Sequence, residues 1–429
     1  MKKIIKTGSF SCISERIVLS LRHKKERIME IINRKKYVNR VLSYLGKGLI
    51  LVLTGQRRVG KSCILQSVAK QITAKDDSAN VIYINKEYAE FNSLKTDEDL
   101  NEYVAAHLKD QRHNYLFVDE VQDIDGFENA LRNFQAKDLC DIVVTGSNAK
   151  MLSGELATYL SGRYVEIHIQ SLNYSEFLLF HGLPDTDDTF LKYLTWGGLP
   201  QLAHIGLDNR QMLTDYLGDI YNMVIMKDVI SRESIRNVRF LTDLVRFVGD
   251  NIGKNISANS IKKFMLSQNI TISPTLTSNY LSYLCNAYII DQVRRFDVRG
   301  KRVFETNEKY YFEDIGLRNV LVGSNLRMDI EKLLENVVYL HLRSQGYQVT
   351  VGQLQNGEVD FVAERGGDRV YVQVTYLLAT QETMDREFGN LRRIKDDYPK
   401  KVVCMDALAA EGNYEGIECV HVREFLQGI

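Results

Sequence analysis

Apolar and polar positions along residues 49–169 follow a strand–helix rhythm. Residues 49–53 are five apolar residues in a row. They run into Gly55-Gln56-Arg57-Arg58-Val59-Gly60-Lys61-Ser62, and an apolar-periodic run resumes over 62–72. A short apolar run bounded by turn residues predicts a buried strand, and apolar residues at helical spacing predict a helix. The same rules predict strands over 81–85, 115–118, 141–145 and 165–169. Helices are expected over 31–45, 97–108 and 152–160. Strands alternating with helices in this way predict a parallel α/β sheet.

The later chain changes rhythm. Residues 172–232 read as helical, with a packed corner at Trp196-Gly197-Gly198 rather than a ligand site. Helices follow over 240–251, 258–266 and 275–284. Ser257 is placed to cap the second of these, and Ser273-Pro274 gives the third an N-cap and an N1 proline. Strands over 288–296 and 302–304 flank a polar turn at 297–301. Three helices and a hairpin in this order have the layout of a winged helix. The last unit reads as helix 328–344, strands 347–351, 358–364 and 369–376, helix 383–395 and strand 401–405. The expected divisions are a basic arm over 1–30, an α/β core over 31–170, a helical lid over 171–235, a winged-helix-like unit over 236–320 and an α/β unit over 321–429.

The loop at 55–62 carries the sharpest chemistry. It fits G-x-x-x-x-G-K-[ST], in the strand, loop, helix order that this pattern needs. Glycines at both ends let the backbone turn its N–H groups onto a phosphate, and the helix that follows adds the positive end of its dipole. Gly55 to Ser62 and Cys63 are therefore expected to cradle ATP, with Lys61 on the β- and γ-phosphates and Ser62 on Mg²⁺. Arg57 and Arg58 suit a phosphate, and a solvated face explains them equally well. The run Tyr115 to Glu120 ends in two carboxylates, a Walker B pattern. Asp119 is expected in the Mg²⁺ shell, and Glu120 as the general base on the attacking water. Ser147 or Asn148, ending the next strand, would orient that water or touch the γ-phosphate.

Charge and cysteine usage narrow the setting. Lys+Arg and Asp+Glu both total 55, so the whole-chain balance says nothing about nucleic acid. Residues 1–40 hold 12 Lys/Arg against three Asp/Glu, and residues 1–28 read as a basic arm or an upstream extension. Six scattered cysteines without a C-x-x-C suit a reducing cytoplasm and argue against a zinc site or a disulfide framework. No apolar stretch reaches membrane-span length, so no membrane is expected as a partner. Arg294, Arg295, Arg299, Lys301 and Arg302 cluster in and beside the hairpin, where they suit DNA phosphates. The helix at 275–284 carries no Arg or Lys, which weakens the case for base-specific readout; a packing or oligomerisation module would have the same shape.

Together GQRRVGKS, LFVDEVQ, VVTGSNAKML, LSGRYVEI and NYSEFL resemble the bacterial and archaeal AAA-type ATPases that carry a C-terminal region of unknown function. The resemblance covers about residues 31–429. It implies a sheet order of 5-1-4-3-2, Asn148 as sensor 1 and Arg163 as a nucleotide-responsive arginine. Arg163 acting from a subunit edge would imply a homo-oligomer; an ordinary surface ion pair explains it as well. The last unit resembles the PD-D/E-x-K restriction-endonuclease fold. Glu335 and Asp360 match its carboxylates, whereas Gln373 and Thr375 stand where the E-x-K Glu and Lys would be, which implies a module without nuclease activity. Three readings stand: an ATPase whose C-terminal half acts on double-stranded DNA, a nucleotide-gated switch with a protein partner, and an ATP-dependent nuclease.

Overall fold

The structure is a computed structural model, and it describes residues 34–149, 162–298, 300, 302–323, 325–407, 410 and 412–428. The amino-terminal arm, the helix expected over 152–160 and the turn residues Arg299 and Lys301 lie outside the described residues.

The first sheet is parallel, and its order is β2-β3-β4-β1-β5, the order the resemblance implies. Its strands are β1 (Ile50–Thr54), β2 (Asn80–Asn85), β3 (Asn114–Asp119), β4 (Asp141–Thr145) and β5 (Tyr164–His168). Strands β1 and β4 are buried along their whole length, as expected for a sheet covered on both faces. Side chains alternate between those faces. Leu51, Leu53, Phe117 and Val143 pack with Val38 and Val41 of α1 (Lys35–Tyr44) and with Leu65 and Val68 of α2 (Lys61–Lys75). Ile50, Val52, Leu116, Val118 and Val144 face α3 (Asp97–His107) and α4 (Phe127–Ala136) through Leu100, Val104, Leu131 and Phe134. Each such buried aliphatic side chain contributes about 1.5–3 kcal/mol. Strand β1 thus aims its carboxyl end, and the loop after it, out of a rigid slab.

Helices α5 (Tyr174–His181), α6 (Asp187–Trp196), α7 (Leu202–Ile205) and α8 (Arg210–Val224) form the helical region. A capping box between Asn173 and Glu176 starts α5. Helix α8 continues without a break into a π-helical segment, Ile225–Ser231. The corner at Gly197-Gly198 is tightly packed: a Cβ on Gly198 would lie 2.2 Å from the Leu172 carbonyl oxygen.

Helices α9 (Val238–Asp250), α10 (Ala258–Ser267) and α11 (Pro274–Asn286) follow. Ser273 caps α11 with Pro274 in its first turn, as the sequence predicts. Then comes the antiparallel hairpin of β6 (Ile290–Asp297) and β7 (Arg302–Phe312). This hairpin does not stand alone. Strand β6 pairs in parallel with β8 (Gln348–Leu354) through Arg295–Val351, Phe296–Gly352 and Asp297–Gln353. The result is one eight-stranded sheet, β12-β13-β11-β10-β9-β8-β6-β7. It also holds β9 (Gly357–Arg365), β10 (Asp368–Val374), β11 (Lys400–Cys404), β12 (Asn413–Tyr414) and β13 (Ile417–His421). Helices α12 (Ile315–Val322), α13 (Leu326–Ser344), α14 (Gln381–Arg392) and α15 (Val422–Gln427) complete this half. No helix among the described residues is long and apolar enough to cross a membrane.

Candidate nucleotide site

The loop from Gly55 to Gly60 leaves β1 at the carboxyl end of the sheet, where parallel α/β folds hold their ligands. Gly55 has φ +132°, and a Cβ there would lie 2.1 Å from the Ile169 carbonyl oxygen, so only glycine fits. Gly60 has φ +99° and turns the chain directly into α2. Val59 is buried, whereas Arg58 and Cys63 are exposed. The Lys61 ammonium is 5% exposed and donates to the carbonyls of Gly55 at 2.8 Å and Gln56 at 2.9 Å. Burial pulls its pKa below the usual lysine value. The loop is pinned from outside as well. Arg34 donates to the Val59 carbonyl at 3.2 Å and to the Gln170 carbonyl at 2.7 Å, while its fork grips Glu176 at 2.7 and 2.8 Å.

The carboxylate pair stands at the adjacent strand end. Asp119 accepts hydrogen bonds from the hydroxyls of Thr145, at 2.5 Å, and Ser62, and from the Asn85 amide at 3.2 Å. Burial nonetheless raises its pKa. Ser62 and Asp119 thus lie together at the start of α2 and the end of β3. Glu120 follows in the left-handed region at φ +56°. Its backbone N–H donates to the Thr145 hydroxyl at 2.9 Å. Its carboxylate accepts from Gln122 at 2.5 Å and from Ser147 at 3.2 Å, and faces Arg57 at 3.7 Å. Burial acts to raise the Glu120 pKa, but Lys61 and Arg57 outweigh it and hold the group below the usual range. Asn148 is fully buried just beyond Ser147.

Arg57 does not sit on a solvated face. Its guanidinium grips Asp228 of the π-helical segment, Nε to Oδ2 at 2.5 Å and Nη2 to Oδ1 at 3.0 Å. The Gln56 amide donates to the Tyr288 carbonyl at 2.9 Å, just past α11. Two residues of the loop are therefore tied to elements far away in sequence. Sequence reasoning missed Arg34, Asn85, Thr145 and Asp228. None belongs to a local motif; only folding brings them to the loop.

Arg163 is the residue that the fold keeps away. It is exposed and precedes β5, and its carbonyl accepts the N–H of Ile50 at the start of β1. The loop leaves the other end of β1, about 16 Å away at ~3.3 Å per strand residue. Arg163 does not reach the nucleotide loop of its own chain, so the role expected of it at a subunit edge would be toward a neighbouring copy.

The cluster around Glu335 and Asp360 has an unforeseen member. Lys309 of β7 is 1% exposed, and its ammonium meets Glu335 at 3.0 Å, Glu358 at 2.9 Å and Asp360 at 3.5 Å. Tyr311 donates to Glu335 at 2.6 Å. Gln373 binds Glu387 at 2.9 Å instead of adding a carboxylate.

This sheet and this loop define a P-loop nucleotide-binding fold. Sequence comparison agrees. Residues 47–178 match the AAA domain family, and residues 187–328 match a domain of unknown function. The chain is 31% identical over 402 residues to an uncharacterized protein of Haemophilus influenzae, covering 92% of this chain and 98% of that one. It is also 31% identical over 387 residues to an uncharacterized protein of Methanocaldococcus jannaschii, covering 86% and 84%. The chain belongs to one family with these two proteins. Among solved structures it is similar to a Walker-type ATPase of Pyrococcus abyssi, at 15% identity and a TM-score of 0.47, over 67% of this chain and 95% of that one.

Proposed function

We propose that the protein binds ATP in the loop of Gly55 to Cys63, hydrolyses it, and uses the cycle to rearrange its C-terminal half. Lys61 neutralises phosphate charge. Ser62 and Asp119 would hold Mg²⁺, which, when bound, adds its own charge neutralisation at the phosphates. Glu120 takes a proton from the attacking water as that water adds to the γ-phosphorus and the bond from that phosphorus to the β–γ bridging oxygen breaks, releasing ADP and phosphate. Ser147 and Asn148 stand at the adjacent strand end, beside that water. The observation that carries this reading is the Asp119–Glu120 pair, turned toward the loop by the single hydroxyl of Thr145. Hydrolysis moves the C-terminal half through the loop's bonds to Asp228 and Tyr288. Double-stranded DNA is the partner we assign to that half. The exposed Arg294 on the hairpin supports this, as do the exposed Lys262 and Lys263 on α10.

The test is the ATPase rate with and without double-stranded DNA at low and moderate salt. Stimulation that fades as salt rises is expected, because phosphate contacts release counterions. A rate indifferent to DNA overturns the DNA assignment and leaves a second reading, a slow nucleotide-gated switch with a protein partner. One observation favours that alternative: the Glu120 carboxylate already accepts hydrogen bonds from Gln122 and Ser147.

A further inference from the structure

We propose that Arg57 and Asp228 form a positioning pair for hydrolysis: Asp228 fixes the Arg57 guanidinium, and Arg57 sets where the Glu120 carboxylate stands. This rests on the reading of Glu120 as the base, and it adds a control point outside the nucleotide loop.

Asp228 is 1% exposed, so its charge is withdrawn from water. Two cations compensate it: Arg57 through two N–H groups, and Arg232 one helical turn on at 3.6 Å. A buried carboxylate is costly unless paired with good geometry. The guanidinium is a rigid planar fork. With Nε and Nη2 committed to Asp228, its remaining Nη1 can face only one way, and it faces Glu120 Oε2 at 3.7 Å. Asp228 therefore aims Arg57, and Arg57 aims the base.

The seat of Asp228 gives the pair its significance. It lies in a π-helical segment that continues α8. Such segments are rare and occur often at functional sites. A return of this segment to α-helical register would rotate Asp228 away from Arg57. The helical region would then set the angle of the hydrolytic carboxylate without touching nucleotide. A base displaced by about 1 Å loses on the order of 100-fold in rate.

The test is a double-mutant cycle on the full chain: wild type, Arg57→Gln, Asp228→Asn and the double variant, with Arg57→Lys and Glu120→Gln alongside. Two quantities are read, kcat at saturating ATP and the Kd for a fluorescent methylanthraniloyl ATP. Each single substitution is expected to lower kcat at least about tenfold, with Kd changed less than about threefold. The double variant should be no slower than the slower single, because both act through one geometry. Arg57→Lys keeps the charge without the fork and should stay near Arg57→Gln. Independent, multiplicative losses overturn the proposal. So does an Asp228→Asn variant with wild-type kcat, or a Kd that rises in proportion as kcat falls. If Asp228→Asn does not fold, the two Arg57 variants decide: lost kcat with kept Kd supports the pair, and recovery in Arg57→Lys overturns it. A Glu120→Gln variant that turns over normally removes Glu120 as the base, a different failure from a wild-type-like Asp228→Asn.

Discussion

Lys309 illustrates how one residue can hold a cluster that the chain order scatters. It is a buried cation facing three carboxylates. Removing one partner from a buried ion pair costs about 3–5 kcal/mol, so Lys309→Met should lose stability of that order in urea unfolding at pH 8. The deficit has a direction with pH. Burial, then the neighbouring Glu335, push the Asp360 pKa up to about 7, although Lys309 pulls it down. A carboxyl with a raised folded pKa contributes stability below its unfolded value near 4, and loses it as pH rises through about 7. Without Lys309 that loss steepens. The variant should therefore recover part of its deficit at pH 5, and an equal deficit at both pH values would refute this account. In the nucleotide loop, Lys61→Ala should weaken ATP binding itself. Glu120→Gln should keep binding and lose turnover, because only the proton acceptor goes; equilibrium binding and phosphate release separate the two. The loop and the carboxylate pair were legible in the sequence because each is contiguous. Lys309 with Glu335, or Arg57 with Asp228, was not: the partners lie 26 and 171 residues apart, and no local pattern links them.

At the scale of elements, the central strands β1, β3 and β4 were readable because each holds an unbroken apolar run, as burial on both faces demands, whereas the edge strand β5 alternates through Glu166 and His168. Helix α11 was readable from its Ser-Pro start, which the structure reproduces. The π-helical segment had no such mark, since its composition continues that of α8. The union of β6 with β8 also escaped notice, because a parallel pairing between distant strands leaves no turn in the sequence. The junction of β1 with its loop offers a sharp test. Gly55→Ala would drive a methyl into the Ile169 carbonyl at 2.1 Å, in a φ region closed to alanine. The loop or β5 must then shift. Nucleotide affinity is expected to fall at least about tenfold, the equivalent of ~1.4 kcal/mol. Normal affinity in a titration calorimeter would show that the loop tolerates the shift.

Across the whole molecule, the two halves meet at the nucleotide loop itself. Gln56 reaches the Tyr288 carbonyl, and that carbonyl lies two residues before the hairpin that joins the second sheet. A change in loop conformation thus has a short route, through one hydrogen bond and the two residues that lead into β6, to the eight-stranded sheet. ATP and its non-hydrolysable analogues should therefore alter hydrogen exchange in β6 and α11 as well as around the loop. Protection confined to the first sheet would break this link.

The seam between β6 and β8 bears on how such a chain can be cut and exchanged. Three paired residues join the hairpin to the rest of the sheet, yet the hairpin also delivers Lys309 and Tyr311. A fragment beginning at residue 321 would carry β8 as a naked edge, a template for self-association. It would also carry three carboxylates stripped of their cation. Expressed alone, it should elute from a sizing column as aggregate, whereas one beginning at residue 287 should elute nearer to monomer. The last hundred residues are thus no transferable cassette: a recombination that borrowed them without the preceding hairpin would inherit a sheet with an open side and an uncompensated charge.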